Sequence, residues 1–262
     1  MLNRLLPKAF RRAVPDDAPP PPAPRPLFAV GDVHGMADLL DRTIQQIAAR
    51  IRRDGLEDAA VIFLGDYIDR GPQSREVLDL LLKAPKRLGV ETVFLHGNHE
   101  AFALRFLDRP KVPTRWLDFG GDATIESYGI DPYEYDTTLD GKAALSATLA
   151  SAMDKEHLRF LHERLVTHYN EWPYFFSHAG IDPRLSPEDQ PAQVLIHGMR
   201  GFRKLGGWEG GFVVHGHFAT ETPDFGPRRL GVDTEAYLSG VLTTAIFHGD
   251  AVDFIEVTER GG

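Results

Sequence analysis

Apolar residues along the first hundred positions come in short runs that stop at glycine. The run 27–30 ends at Gly31, the run 59–64 at Gly65, and the run 90–95 just ahead of Gly97. Short, mainly apolar runs that end at glycine read as buried strands, the habit of parallel sheets. Between them the apolar positions change period. Leu40, Ile44, Ile47 and Ile51 recur at helical spacing before Gly55, and Val77, Leu78, Leu81 and Leu82 do so before Pro85. These predict two amphipathic helices, one stopped by glycine and the other by proline. Strand, helix, strand, helix, strand is the expectation for residues 27–95.

The pattern then breaks. Residues 101–170 hold Trp116, the pair Gly120-Gly121, a turn rich in Pro, Tyr and Asp, and helical spacing at 143–153 and 157–166. They predict a mostly helical insertion over the strand ends, a lid or substrate wall. Strands resume at 174–177, 211–214, 242–247 and 251–257, and turns at Gly240 and Gly249-Asp250 predict antiparallel hairpins. No internal repeat is present. The domain expected is 26–262, of α/β class. Ahead of it, residues 1–25 form a basic tail and a proline-rich linker. Leu2, Leu5, Leu6 and Phe10 alternate with Arg4, Lys8, Arg11 and Arg12. A frayed tail is the plainer reading of residues 1–12, and weak contact with an anionic membrane surface is the alternative.

Composition narrows the function. A net charge of −9 argues against a nucleic-acid partner, whose binding would rest on a basic surface. With no cysteine there is neither a disulfide framework nor a thiolate metal site. No apolar run approaches the roughly 20 residues that span a bilayer, and the basic residues interrupt any signal-peptide core. A cytoplasmic location is expected, with the inner-membrane edge as the variant in which the tail binds lipid.

Each early strand delivers chemistry to its carboxyl end, where open α/β sheets bind their ligands. The segments are Gly31-Asp32-Val33-His34-Gly35, Gly65-Asp66-Tyr67-Ile68-Asp69-Arg70-Gly71 and Gly97-Asn98-His99-Glu100. Asp32 and Asp66 stand 34 positions apart, and Asp66 and Asn98 stand 32 apart, close to one strand–helix–strand unit. His178 and His217 follow later apolar strands. Carboxylate, imidazole and amide oxygens without thiolate suit divalent Mn, Fe or Zn.

The three segments, intact and in order, resemble the phosphoprotein phosphatase branch of the calcineurin-like metallophosphoesterases, in particular its smaller bacterial and phage members. The resemblance covers about residues 27–250. It implies a four-layer α/β/β/α sandwich and two divalent ions, Mn above Fe or Zn. Asp32, His34 and Asp66 would hold one ion, and Asp66 would bridge to a second held by Asn98, His178 and His217. It implies further that a hydroxide between the ions attacks phosphorus, that Asp69 orients His99 as proton donor to the leaving alkoxide, and that Arg70 and Asn98 contact the phosphate. The chain departs from eukaryotic members at Ser177-His178-Ala179-Gly180, where they have His-Gly-Gly. No Tyr-containing C-terminal loop of theirs is recognisable. Arg200 is the candidate second phosphate arginine, with Arg203 behind it.

Plainer readings stand beside these. His215 is a core or supporting residue rather than a ligand, and Glu100 a helix-start carboxylate. Asp233 either supports His217 or sits in an ordinary turn. Trp116, Phe119 and Tyr128 pack the insertion rather than line a substrate wall. The resulting expectation is a metal-dependent serine/threonine protein phosphatase, with dual specificity open, acting on phosphoprotein or small phosphoesters. The alternative is a dinucleoside polyphosphate (Ap4A) hydrolase. A catalytically silent binding module is the remaining option, disfavoured because every ligand position and His99 are filled.

Overall fold

A computed structural model describes residues 20–112, 115–204, 208 and 210–259. The basic tail at 1–12 lies outside them. The chain begins β1 (Ala23–Val30), α1 (Ala37–Asp54), β2 (Ala60–Phe63), α2 (Ser74–Leu88), β3 (Glu91–Leu95) and α3 (Asn98–Asp108). The insertion adds α4 (Gly121–Ser127), α5 (Leu139–Ala152) and α6 (Lys155–Arg159). The second half runs β4 (Leu165–Val166), β5 (His168–Glu171), β6 (Tyr174–Ser177), α7 (Ala192–His197), β7 (Phe212–His215), β8 (Asp224–Gly226), β9 (Arg229–Gly231), α8 (Ala236–Ser239), β10 (Val241–Gly249) and β11 (Ala251–Thr258).

Two sheets result, in the orders β11-β10-β1-β2-β3-β4 and β5-β6-β7-β9-β8. In the first, β1 through β4 are parallel, and the β10–β11 hairpin adds antiparallel to β1. In the second, β6, β7 and β9 are parallel, and β5 and β8 pair antiparallel at the edges. The sheets face each other across a closed apolar layer that includes Leu27, Ile62, Tyr174, Phe176, Val214 and Phe247. Helices α1 and α2 cover the outer face of the first sheet, and Phe175, Leu195, Phe202 and Trp208 cover that of the second. This is the α/β/β/α sandwich expected. At the end opposite the strand carboxyl termini, Arg25 ties the sheets together, reaching Glu91 on one and Glu171 and Tyr169 on the other.

Several boundaries differ from the expectation. β1 starts at Ala23, three residues before the predicted domain start, and includes Pro24 and Pro26. Its ladder to β10 is irregular between Ala23 and Leu27, so neither missing N–H is needed. Helix α2 passes through Pro85 and ends at Gly89, whose left-handed backbone (φ 72°) caps it. Proline in a last turn forfeits one hydrogen bond but does not stop a helix whose apolar face is already buried. Helical structure in the insertion ends at Arg164, and the predicted helix over 157–166 gives way to β4 and β5. Those strands, with β8 and β9, are two to four residues long and carry no readable period.

Phe176 is fully buried between the sheets. Phe176→Ala should destabilise the protein by about 3–5 kcal/mol, the cost of a large side chain deleted where neither sheet can collapse. A urea unfolding midpoint measures it; a change well under 1 kcal/mol would show that the inter-sheet layer repacks freely.

Candidate active site

The predicted metal ligands converge with Asp69, Arg70 and His99 at the carboxyl ends of the parallel strands. Asp32 and His34 follow β1, Asp66 to Arg70 follow β2, and Asn98 and His99 open α3 after β3. His178 and His217 arrive from the second sheet, after β6 and β7. The loops that carry them are strained. His34, Asp66, Asp69, Arg70 and His217 all have φ between 44° and 75°, a region that costs a non-glycine residue on the order of 1–3 kcal/mol.

Interlocking backbone holds that strain. Val33 and His34 donate to the Asp66 carbonyl, Gly35 to that of Tyr67, and Gly71 back to that of His34. The first two loops thus lie back to back. A Cβ on Gly35 would fall 2.3 Å from the Gly71 carbonyl oxygen, and one on Gly71 would fall 2.2 Å from that of His34, so both positions demand glycine. Glu100 supplies the rest. Its buried carboxylate accepts from the backbone N–H groups of Asp66 (2.9 Å), Tyr67 (2.7 Å), Ile68 (3.3 Å) and Gly97 (3.0 Å). It is a clamp on the Asp66 loop, a larger role than the helix-start carboxylate expected.

Asp66 lies at the centre. Its Oδ2 is 3.6 Å from His34 Nε2 and 3.3 Å from His178 Nε2. The other nitrogen of each ring faces a carbonyl, Ile68 O at 3.0 Å for His34 and Leu64 O at 2.9 Å for His178. Those contacts assign the proton to Nδ1 and aim the Nε2 lone pair into the site. His178 Nε2 and His217 Nδ1 then lie 3.0 Å and 2.8 Å from Asn98 Oδ1. A lone pair from His178 facing this amide is satisfied by a second proton, by a cation, or by the Asn98 NH₂ group turned toward it. Asp32 accepts the His217 N–H through Oδ2 at 3.0 Å, while its buried Oδ1 has no partner. Two groups sharing Asp66 have ligand atoms within 4.8 Å of one another: His34, Asp66 and His99, and Asp66, His178 and His217. The donor set, the facing acceptors and the orphaned carboxylate oxygen all fit divalent cations.

Electrostatics separates the histidines. Burial, against the pull of Asp66, lowers His34 to about 3. Burial and the neighbouring His178 lower His217 to about 3 as well. Both are neutral and free to ligate at pH 7. Burial also opposes charge on His99, but the Asp66 and Asp69 carboxylates outweigh it and raise the ring to about 9. Its Nδ1 donates to Asp69 Oδ2 at 2.7 Å. Trp116 Nε1 donates to the same oxygen at 2.7 Å, and the Thr124 hydroxyl donates to Oδ1 at 2.6 Å. Trp116 is fully buried and joins the site through Asp69 instead of merely packing the insertion. Nothing in its spacing marked it.

Arg70 is exposed, with its guanidinium carbon 4.8 Å above the ring of Tyr237. That ring lies 5.4 Å from His34, and its hydroxyl donates to Glu235 at 3.1 Å. A tyrosine therefore does stand at the site, on the connection between β9 and β10, although no C-terminal tyrosine loop was recognisable in the sequence. The available signal was its place just after Gly231-Val232-Asp233. Arg200 follows α7, whose His197 ring lies 5.5 Å from that of Phe102 on α3. It lies exposed in the turn after α7 and, among the described residues, makes no hydrogen bond or ion pair. Arg203 pairs with Asp224 at 3.1 Å. His215 is a buried core residue between Phe202 and Phe218. Asp233 accepts from Glu235 N and makes a turn. Phe119 stacks on Phe102 yet remains 40% exposed, and Tyr128 packs inward against His157.

Strand-end carboxylates and imidazoles grouped around one shared aspartate define a metal-dependent phosphoester hydrolase. The chain belongs to the calcineurin-like phosphoesterase family, whose pattern matches residues 25–230. Serine/threonine-protein phosphatase 2 of Escherichia coli is 39% identical over 98 residues, 37% of this chain and 39% of that protein. A PP2A-like serine/threonine-protein phosphatase of Saccharomyces cerevisiae is 33% identical over 42% of this chain and 28% of its own length. The chain thus spans well under half of these relatives. The asymmetrical bis(5'-nucleosyl)-tetraphosphatase PrpE of Oceanobacillus iheyensis is 24% identical over 88% of this chain and 91% of that protein. A cold-active protein-tyrosine phosphatase of Shewanella shares the fold, with a TM-score of 0.57 at 17% identity over 95% of this chain and 85% of that one. Among the described residues, no helix is long and apolar enough to cross a membrane.

The Glu100 clamp is testable. In Glu100→Gln one oxygen becomes an NH₂ group that faces backbone donors, so the Asp66 loop loses part of its hold. Mn²⁺ affinity should fall about 10- to 100-fold, the usual cost of losing a group that orients a ligand. Calorimetric Mn²⁺ titration reads it. Unchanged affinity would remove Glu100 from that role.

Proposed function

We propose that this chain is a metal-dependent phosphomonoesterase acting on phosphorylated serine or threonine in proteins. The observation that carries the reading is the His99–Asp69 pair beside Asp66. A histidine held protonated near neutral pH and oriented by a buried carboxylate is a proton donor, and an alkoxide leaving group needs one. Asp32, His34 and Asp66 would hold one divalent ion, and Asp66, Asn98, His178 and His217 the other. His99 can complete a ligand group by distance, but its Nδ1 is committed to Asp69 and its ring favours the charged form, so we assign it to proton transfer and Asp32 to the metal. Two cations there, Mn²⁺ in preference to Fe or Zn, would neutralise phosphate oxygens and lower the pKa of the attacking water.

The protein groups do the rest. Arg70 presents a planar fork to two phosphate oxygens, and the Tyr237 ring beneath it limits the guanidinium's rotation. Asn98 would contact a third oxygen through its amide N–H. His99 delivers its Nε2 proton to the departing oxygen while Asp69 keeps the Nδ1–H in place. Hydrolysis of dinucleoside polyphosphates is the second reading, favoured by the tetraphosphatase relative that aligns along nearly the whole chain. Turnover of a phosphoserine peptide against Ap4A separates the two: faster cleavage of Ap4A would replace the phosphatase reading.

Prolonged chelation should abolish hydrolysis of p-nitrophenyl phosphate, and Mn²⁺ should restore it. Activity that survives chelation would exclude the two-metal assignment. His99→Asn should retain bound Mn²⁺ yet lose about 10² to 10⁴-fold in kcat on an alkyl phosphoester. The loss should be much smaller on p-nitrophenyl phosphate, whose leaving group scarcely needs a proton. Equal losses on both would take the donor role from His99. Arg70→Lys should lower kcat/KM on both substrates together, since lysine cannot reproduce the bidentate fork; wild-type values would place Arg70 outside the site.

A further inference from the structure

The helical insertion reaches the catalytic pair through its own side chains. Asp69 is fully buried, on left-handed backbone at φ 75°. Both of its carboxylate oxygens are engaged from the insertion, Oδ2 by the Trp116 indole N–H and Oδ1 by the Thr124 hydroxyl. Thr124 has one hydroxyl proton. With that proton on Oδ1, its oxygen lone pairs are free to accept, and the Asp69 N–H lies 2.9 Å away, with Ser74 Oγ at 3.0 Å as a shared acceptor. Side chain and backbone of Asp69 are therefore held by the same threonine. Four residues upstream, the Gly120 carbonyl accepts the Arg70 N–H at 3.0 Å.

We propose that Trp116 and Thr124 are positioning residues for proton transfer, fixing the Asp69 carboxylate so that His99 Nε2 points at the leaving oxygen. This rests on the assignment of His99 as proton donor. The argument is geometric. His99 touches Asp69 through Oδ2 alone, and a carboxylate held at one oxygen can rotate about its Cβ–Cγ bond and carry the imidazole with it. Donors at both oxygens, from two points of the insertion eight positions apart in sequence, remove that freedom. The metal side of the site is supported separately. His34 and His178 are oriented by the Ile68 and Leu64 carbonyls, and the Asp66 loop by Glu100. Loosening the clamp should therefore affect proton donation and leave the metals bound.

That separation supplies the test, made on the full chain loaded with Mn²⁺. Thr124→Val keeps the shape and removes the hydroxyl. Trp116→Phe keeps a ring against Phe106 and removes the N–H. Each should retain the wild-type Mn²⁺ content and lower kcat on a phosphoserine peptide or another alkyl phosphomonoester about 10- to 100-fold. Turnover of p-nitrophenyl phosphate should barely change, and Thr124→Ser should recover alkyl ester activity. Equal falls on both substrates, or no fall on the alkyl ester with the metal retained, would overturn the proposal. His99→Asn, measured alongside, keeps the two failures distinct. If His99→Asn discriminates between the substrates and the clamp variants do not, the clamp alone is wrong. If His99→Asn treats both alike, the donor assignment fails and the clamp with it.

Discussion

One buried carboxylate holds the reactive end of this molecule in shape. Glu100 collects the N–H groups of three consecutive residues from the second loop and one from the third. Without a common acceptor those amides would point into a dry interior unsatisfied, at about 1–3 kcal/mol each. With it, the chain can keep Asp66 on left-handed backbone, and Asp66 is the atom group every other part of the site is measured from. The interlocked glycines of the first two loops and the carbonyls that set the histidine tautomers act on a frame that this carboxylate has already closed.

Two supports meet in the site without overlapping. Sheet-derived backbone orients the residues assigned to the metals, while the insertion orients the residues assigned to phosphate grip and proton delivery. The insertion reaches the second loop through hydrogen bonds to Asp69 and Arg70. In the same segment, exposed Phe119 stacks on Phe102 of α3, one residue before Gly120.

The parallel core was legible because each strand is a short apolar run closed by glycine, and each helix between them has a single buried stripe. The residues at the strand ends were legible for the same reason, since a strand that stops at a fixed glycine places the next few side chains at a known edge. What escaped has a physical explanation in each case. Strands of two to four residues such as β4 and β9 are defined by their neighbours, not by a pattern of their own. Trp116 and Thr124 sit 47 and 55 positions from the carboxylate they hold, and Tyr237 lies far along the chain from Arg70, so tertiary contact alone reveals them. Pro85 misled because a breaker in the last turn of a well-buried helix costs less than the burial it interrupts.

The division of the site between two sheets also sets an order in time. Asp32, His34, Asp66, Asn98 and His99 all belong to the first 99 residues, whereas His178 and His217 come from strands made much later. The bond from His217 N–H to Asp32 closes a loop of 185 residues, and that from His217 to Asn98 one of 119. A chain leaving the ribosome from its amino end therefore exposes half of a cation site well before the other half exists. Non-local closures of this length are slow steps in folding. On the proposed assignment, the full donor set for both cations exists only once synthesis has passed His217 and the two sheets have closed on each other.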